Sequence, residues 1–451
     1  MPDAEANKTK GNAKIAAACF FLFILGLAPR LWVSFETSSW KNPMELSPGY
    51  VKDAREYDAI AQNLATGRGF SLSENAPYKP TLKRAPAYPF FLAVLYRLFG
   101  HSHTPVFVIQ SILGAAVSVL LFLIGFWIGG WGAGLLCGIL NALNLSGASY
   151  AAEIATEALA IFQFTLTGFL MVAAFRRHSL GLCVLAGLAL GSTLLCKTAL
   201  VPFVPFLLFW GVQTNLKRSQ RLKAAAVIIF CAALTFSPWL IRNKKISGAF
   251  SPGMVGGMTF YTRVFDRGAR ADFSSPEYQR DFYGVWGRLE KEGAGELQIA
   301  AHFKKEALEN VRRYPFRYLA SSLIELDAFL GLRFFFPFSP RLYENAGGAR
   351  PGRWILLKSV PRLAFYLLCI FGMRVAMRRY PGESFPLILM TAVFTVTHIF
   401  TAYSGFRYAE PLMPFFILFF SMALQHLADK DFLVFKEWFH WYNHPIFRRF
   451  Q

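Results

Sequence analysis

Long uncharged stretches separated by short basic ones dominate the chain. Residues 104 to 152 contain no Asp, Glu, Lys or Arg, and further charge-free runs occupy 179–196, 198–216, 224–241, 384–406 and 411–428. A membrane-crossing helix takes about 20 apolar residues, so the first run holds two, with the turn at Gly129-Gly130-Trp131-Gly132. The pattern predicts an all-α polytopic membrane protein with about ten transmembrane helices, near 15–34, 106–128, 132–150, 157–175, 180–196, 199–214, 224–241, 354–373, 384–402 and 410–428. Basic connections set the orientation. Lys8/Lys10/Lys14, Arg176-Arg177, "NLKRSQRLK" (215–223) and "MRVAMRRYPG" (373–382) are expected in the cytoplasm, because cytoplasmic loops carry the excess of Lys and Arg.

That orientation divides the chain. Residues 1–14 are a cytoplasmic N-terminus, and 15–242 a transmembrane module that includes an external loop, 35–104. Residues 243–353 form a second external region, 354–428 the C-terminal helices, and 429–451 a cytoplasmic interfacial tail. The piece "YLASSLIELDAFLGLRFFFPFSP" (318–340) would reverse the parity if it crossed, and it carries Glu325, Asp327 and Arg333. Each is costly at the bilayer centre, by roughly 2.5–3.5 kcal/mol. It is expected to be re-entrant or interfacial.

Composition agrees with this picture: 54% of the 451 residues are hydrophobic and only 16% charged. The formal charge of +20 follows from the basic connections and calls for no nucleic-acid partner. All six cysteines lie in apolar runs without CxxC spacing, so they define no disulfide framework. Lys8, Lys10 and Lys14 before residues 15–29 have the look of a signal peptide. No small-residue cleavage site follows, so the segment is read as an uncleaved first span.

The external loop carries the chemistry. In "DAREYDAIAQNLATGRGF" (53–70), Tyr57, Ile60, Ala61 and Leu64 form one apolar stripe, with Arg55, Glu56, Asp58, Gln62 and Asn63 facing away. This predicts an amphipathic helix lying flat on the outer leaflet and stopping near Gly67 and Gly69. A second short apolar piece, "YPFFLAVLYRLFG" (88–100), is too short to span. Asp53 reads as the helix N-cap, with Glu56 completing a capping box, or as a carboxylate held at a fixed point over the membrane.

Here the sequence resembles a family. "DAREYDAIAQNLATGRGF" followed by "LKRAPAYPFFLAVLYRLFG" is similar to the first external loop of GT-C glycosyltransferases, of the bacterial dolichyl-phosphate-mannose-protein mannosyltransferase and lipid A aminoarabinose transferase type. "EIATEALAIF" (153–162), "SPWLIRN" (237–243) and "RYAEPLMP" (407–414) follow in the family's order. The resemblance implies transfer of a sugar from a polyprenyl-phosphate donor, on the periplasmic side of a bacterial inner membrane, to a glycan, glycolipid or protein acceptor.

By that resemblance Asp53 is the catalytic base and Glu157 a second acidic position of the catalytic site, with Glu153 on its helical face one turn earlier. Glu157 is expected to orient the acceptor, hold the sugar or join Asp53 around a cation. Arg84, or Lys83 if the register slips, matches the position that binds the donor phosphate. Arg242 and Lys244 join them from topology, since basic residues at the outer end of a span oppose the positive-inside rule. Arg407 and Tyr408 are similarly placed, as phosphate and substrate contacts or as an interface anchor, and Tyr57 faces the substrate. Lys197 is an unassigned charge that could reach the same phosphate. The residues present no recognisable metal-ligand pattern, which leaves a divalent cation between Asp53 and Glu157 open. No Walker-type or GxGxxG loop appears, which favours a lipid-linked donor over a nucleotide sugar. The rival readings are a transporter or flippase of lipid-linked saccharide and a polysaccharide polymerase or ligase.

Overall fold

The computed structural model describes residues 2–36, 51–210, 218–271, 275–332, 354–403 and 405–442. Expectations for 37–50, 211–217, 272–274, 333–353 and 443–451 lie outside the described residues. In chain order the helices are α1 (Pro2–Glu36), α2 (Val51–Ala65), α3 (Ala87–Phe99), α4 (Thr104–Ala142), α5 (Leu145–Ser149), α6 (Thr156–Arg177), α7 (Leu180–Cys196), α8 (Phe203–Trp210) and α9 (Arg218–Ser247). Then come α10 (Val255–Val264), α11 (Pro276–Lys291), α12 (Glu296–Arg313), α13 (Pro315–Leu330), α14 (Trp354–Arg379), α15 (Pro381–Thr401), α16 (Phe406–Ala409) and α17 (Met413–Tyr442). Among the described residues there is no strand longer than an isolated bridge.

Seven described helices are long and apolar enough to cross a membrane: Gly11–Glu36, Thr104–Ala142, Thr156–Arg177, Leu222–Ser247, Ser359–Arg379, Pro381–Thr401 and Phe406–Asp429. The expected ten differ from this number for physical reasons. The two spans expected over 106–150 are one long element, α4, which folds back on itself at Gly130 (φ 82°, ψ −173°). Its second leg ends at Ala142, so the third span is broken into helix, the short α5 and a 3₁₀ turn, Tyr150–Ala152. The fifth span is the 17-residue α7, and the described part of the sixth is a 3₁₀ turn (Thr198–Leu200) followed by α8. Both pieces are apolar but short.

Small residues let these helices approach. A Cβ on Gly134 would lie 2.9 Å from the Phe122 carbonyl of the facing leg, and one on Gly372 would overlap that of Phe419. This close approach of backbones is how helices pack in lipid, where no hydrophobic force drives them together. On the outside, Phe20, Trp32, Phe230 and Ile370 are exposed, a surface suited to a hydrocarbon solvent rather than water. Arg30 of α1 is buried, and its two terminal nitrogens donate to the carbonyls of Gly26, Asn141 and Ala142.

The second polar region folds as a small helical cluster. Tyr261, Tyr278, Phe282 and Phe303 of α10, α11 and α12 stack on one another, with Phe282 and Phe303 ring centroids 4.8 Å apart. Tyr278 and Phe282 of the α11 segment therefore pack inward, while Tyr283 is exposed. The cluster is fastened to the first polar loop by Glu296, which accepts from Thr81 Oγ1 (2.8 Å) and from the backbone N–H of Leu82. The described part of the 318–340 piece is α13, whose Leu319 and Leu323 are exposed while Glu325 and Asp327 are buried. α17 runs unbroken from Met413 to Tyr442, so span and tail share one helix as far as the described residues extend.

Candidate active site

Two short helices position the first half of the site. α2 buries Ala54, Tyr57, Ile60 and Ala61, as its apolar stripe requires. Tyr57 meets Tyr88 of α3 edge-on at 5.2 Å. Burying Ile60 contributes roughly 1.5–3 kcal/mol, and an Asp there would detach the helix. α2 ends at Ala65, with Gly67 (φ 78°) and Gly69 (φ 84°) in the left-handed region behind it. The Tyr88 hydroxyl donates to Gln110 Oε1 (2.9 Å), and Gln110 Nε2 donates to the carbonyls of Ala151 and Glu153. That chain of bonds ties α3 to the turn that starts α6, and α6 carries Glu157 in its first turn.

Asp53 is not the cap of α2. The helix begins at Val51, which places Asp53 inside its first turn, where the helix dipole favours a carboxylate. Its Oδ1 lies 2.5 Å from Arg84 Nη2, and its Oδ2 lies 3.8 Å from Arg407 Nη1. Glu56 does not face away. It pairs with Arg84 through Oε2 and with Lys83 through Oε1, each at 2.6 Å. Glu153 stands before α6 in extended backbone (φ −120°, ψ 147°), so it shares no helical face with Glu157.

Glu157 is fully buried, and both its oxygens face cations. Arg407 Nε is 2.8 Å and Lys197 Nζ 3.1 Å from Oε1, and Arg407 Nη2 donates to Oε2 at 3.0 Å. Arg407 thus bridges Asp53 and Glu157, bringing together residues 250 or more positions apart in sequence. Three carboxylates (Asp53, Glu56, Glu157) meet four cations (Lys83, Arg84, Lys197, Arg407), an excess of one positive charge. Asp53, with a third of its side chain accessible, is the most open carboxylate of the three.

Electrostatics follow from that arrangement. Burial alone would lower Arg84, but Tyr57, Asp53 and Glu56 outweigh it and the net shift is upward, so its charge is secure. Burial pushes the Tyr57 phenol up to about 12, and the Arg84 guanidinium lies 5.1 Å from its ring centroid. Tyr57 is a neutral wall behind Arg84. Tyr408 contacts the rings of His398 and Tyr403, beside Arg407 in the chain.

The structure brings together Asp53, Glu157, Arg84, Lys83, Arg407 and Tyr57. It does not bring Arg242 or Lys244 to this cluster. Arg242 donates to the carbonyls of Thr81 (2.9 Å) and Phe70 (3.3 Å) and to Asn243 Oδ1 (2.9 Å), and it lies against the rings of both Phe70 and Trp239. Lys244 is exposed and lies 4.4 Å from the Phe250 ring centroid. Sequence reasoning missed Glu56, whose spacing put it on the polar face, and left Lys197 without a partner. The signal for Lys197 was a lone charge between apolar runs.

The donor set between Asp53 and Glu157 does not fit a divalent cation. Arg407 occupies the place between the two carboxylates, and Arg84 and Lys197 take the remaining directions.

Residues 83–241 match the sequence profile of the dolichyl-phosphate-mannose-protein mannosyltransferase family. The fold is similar to the apo oligosaccharyltransferase of Archaeoglobus fulgidus, with TM-score 0.53 and 14% identity over 92% of this chain and 51% of that one. It is also similar to the archaeal oligosaccharyltransferase AglB of the same organism in complex with an inhibitory peptide and a dolichol-phosphate, with TM-score 0.52 and 14% identity over 91% of this chain and 50% of that one. The family's profile and the fold of those two structures thus meet in the stretch that runs from Lys83 to Ile241 of α9. The chain spans about half the length of those two structures. No curated protein matches its sequence. The profile match takes in Lys83, Arg84, Glu157 and Lys197, while Asp53 and Arg407 join the same cluster from either side of the matched stretch.

Proposed function

We propose that the protein transfers a sugar from a polyprenyl-phosphate donor to a hydroxyl-bearing acceptor, at the non-cytoplasmic face of the membrane and within the loop module 35–104. The observation that carries this reading is the placement of Asp53: the most open carboxylate of the cluster, set against Arg84 and Arg407. A donor phosphate docking on Arg84 replaces the carboxylate as its partner and leaves Asp53 facing the acceptor. The acceptor oxygen then bonds to the anomeric carbon as the bond from that carbon to the phosphate oxygen breaks. The proton passes to Asp53 and the electron pair to the phosphate, which gains a negative charge. The excess cation stabilises that developing charge. Glu157, closed off on both oxygens, is a positioning residue that holds Arg407 and Lys197 in place. The profile match and the superfamily fold support a transferase over a flippase, which would use the cations but no base.

The test compares Asp53→Asn with wild type, in transfer from a polyprenyl-phosphate sugar and in detergent melting. Asn removes the basicity and keeps the size, so transfer should fall about 10²–10⁴-fold while melting holds. Near-normal transfer by the Asn variant would remove Asp53 from the chemistry.

A further inference from the structure

We infer that Asp58, His101 and His103 bind a divalent transition-metal ion of the Zn²⁺ type, which fastens α2 to the connection between α3 and α4. His101 and His103 lie in "GHSHT" between Phe99, the last residue of α3, and Thr104, the first of α4. Asp58 comes from α2, five residues after Asp53 and so roughly 140° round the helix from it. The site is separate from the carboxylate–arginine cluster.

Both imidazoles aim Nε2 at the same carboxylate. His103 Nε2 is 2.9 Å and His101 Nε2 3.1 Å from Asp58 Oδ1, and His101 Nε2 is also 3.1 Å from Oδ2. The three ligand atoms lie within 4.8 Å of one another, and among the described residues no other group of three His, Cys, Asp or Glu does so. Zinc with bonds of about 2.0–2.1 Å holds tetrahedral ligands roughly 3.3 Å apart, so a small outward movement of the imidazoles makes room.

A second observation points the same way. The buried Tyr96 hydroxyl donates to Asp58 Oδ1 at 2.6 Å, so three groups converge on one oxygen. A cation between the imidazoles and the carboxylate replaces two of those contacts, and Tyr96 becomes the outer partner that orients the ligand. The rings are held for this: Tyr96 packs edge-on against His101 at 4.8 Å, and Phe107 lies 6.4 Å from His103. His101 is 40% exposed, which leaves the fourth position open to water. Two imidazoles and a carboxylate suit zinc rather than Ca²⁺ or Mg²⁺, which take oxygen ligands. The inference does not depend on the transferase reading.

The test is calorimetry of the full-length protein in detergent, without a polyhistidine tag and after EDTA dialysis, titrated with ZnCl₂ and with MgCl₂. One equivalent of Zn²⁺ should bind and Mg²⁺ should not. Tyr96→Phe should weaken Zn²⁺ about 10–100-fold, and His101→Ala and His103→Ala should lose more than that. Zn²⁺ should raise the melting temperature of wild type and leave that of His101→Ala unmoved. No zinc binding by wild type, unchanged binding in the histidine variants, or an equal thermal shift in His101→Ala overturns the proposal.

Discussion

The site around Arg84 and Arg407 and the site around Arg263 use the same side-chain chemistry to opposite ends. Arg263 is wholly buried and closed on itself: Nε donates to the Ile399 carbonyl, Nη1 to Ser321 Oγ and Nη2 to Ser322 Oγ, with Glu325 3.8 Å away. Burial lowers Arg263, and Glu325 only partly offsets it. At Arg84 the neighbouring Tyr57, Asp53 and Glu56 overcome burial and the balance reverses. One arginine joins α10 to α13 and α15. The other belongs to a cluster with a cation to spare and one accessible carboxylate. A buried charge matched group by group is architecture, and one left in excess beside an open carboxylate is arranged for a charged ligand.

The sharpest way to break that contrast is to treat the two arginines alike. Arg263→Met leaves Glu325 without its arginine in a buried setting, and removing one partner of a buried pair costs about 3–5 kcal/mol. We expect a large fall in melting temperature. The double variant Arg263→Met, Glu325→Leu should recover much of it, because replacing both partners with apolar groups is often near neutral. If the single variant melts like wild type, Arg263 is not the structural member of the comparison.

Arg84→Ala should show the reverse pattern. Losing one preorganised donor to a developing oxyanion typically costs about 10²–10³-fold in rate, so kcat/KM for the polyprenyl-phosphate sugar should fall on that order. Melting should move less than in Arg263→Met, since Lys83 still pairs with Glu56. Arg84→Lys should restore only part, because a lysine cannot present a planar fork to a phosphate. Full activity in Arg84→Ala would make Arg84 another Arg263.

The sequence made one side of this contrast readable in advance, though unevenly, and left Arg263 unmarked. Apolar runs told the broad all-helical membrane architecture, and Gly129-Gly130-Trp131-Gly132 told the reversal in α4, because Gly130 alone there supplies the positive φ. The resemblance selected Asp53, Arg84 and Glu157 from three separate stretches, and topology added Arg407 from a fourth. Their mutual pairing was not readable, since it depends on packing that brings α2, α6 and α16 together. Glu56 was misplaced because helical periodicity sorts residues into an apolar face and a remainder. It does not say that Lys83 and Arg84 return over that remainder. Glu296, which clasps Thr81 and Leu82 across more than 200 residues, leaves no local trace at all.

Arg242 gives the smallest expected effect and divides two readings of one residue. Topology marked it as a phosphate ligand, whereas its guanidinium instead holds the carbonyls of Thr81 and Phe70. A phosphate ligand needs charge, so Arg242→Lys should then work nearly as well as wild type and Arg242→Met should raise the donor KM with melting unchanged. A clamp needs the forked geometry, because one Lys ammonium cannot reach both carbonyls and lie against the rings of Phe70 and Trp239 as well. On that reading Lys and Met lower stability alike, by the roughly 0.5–1.5 kcal/mol that a hydrogen bond contributes on balance. The residual rate loss would come from Lys83 and Arg84, two and three residues beyond Thr81, losing their fixed position. We expect equal melting shifts for the two variants and a donor KM that moves little in either. A selective rise in KM for Met, rescued by Lys, would return Arg242 to the phosphate site.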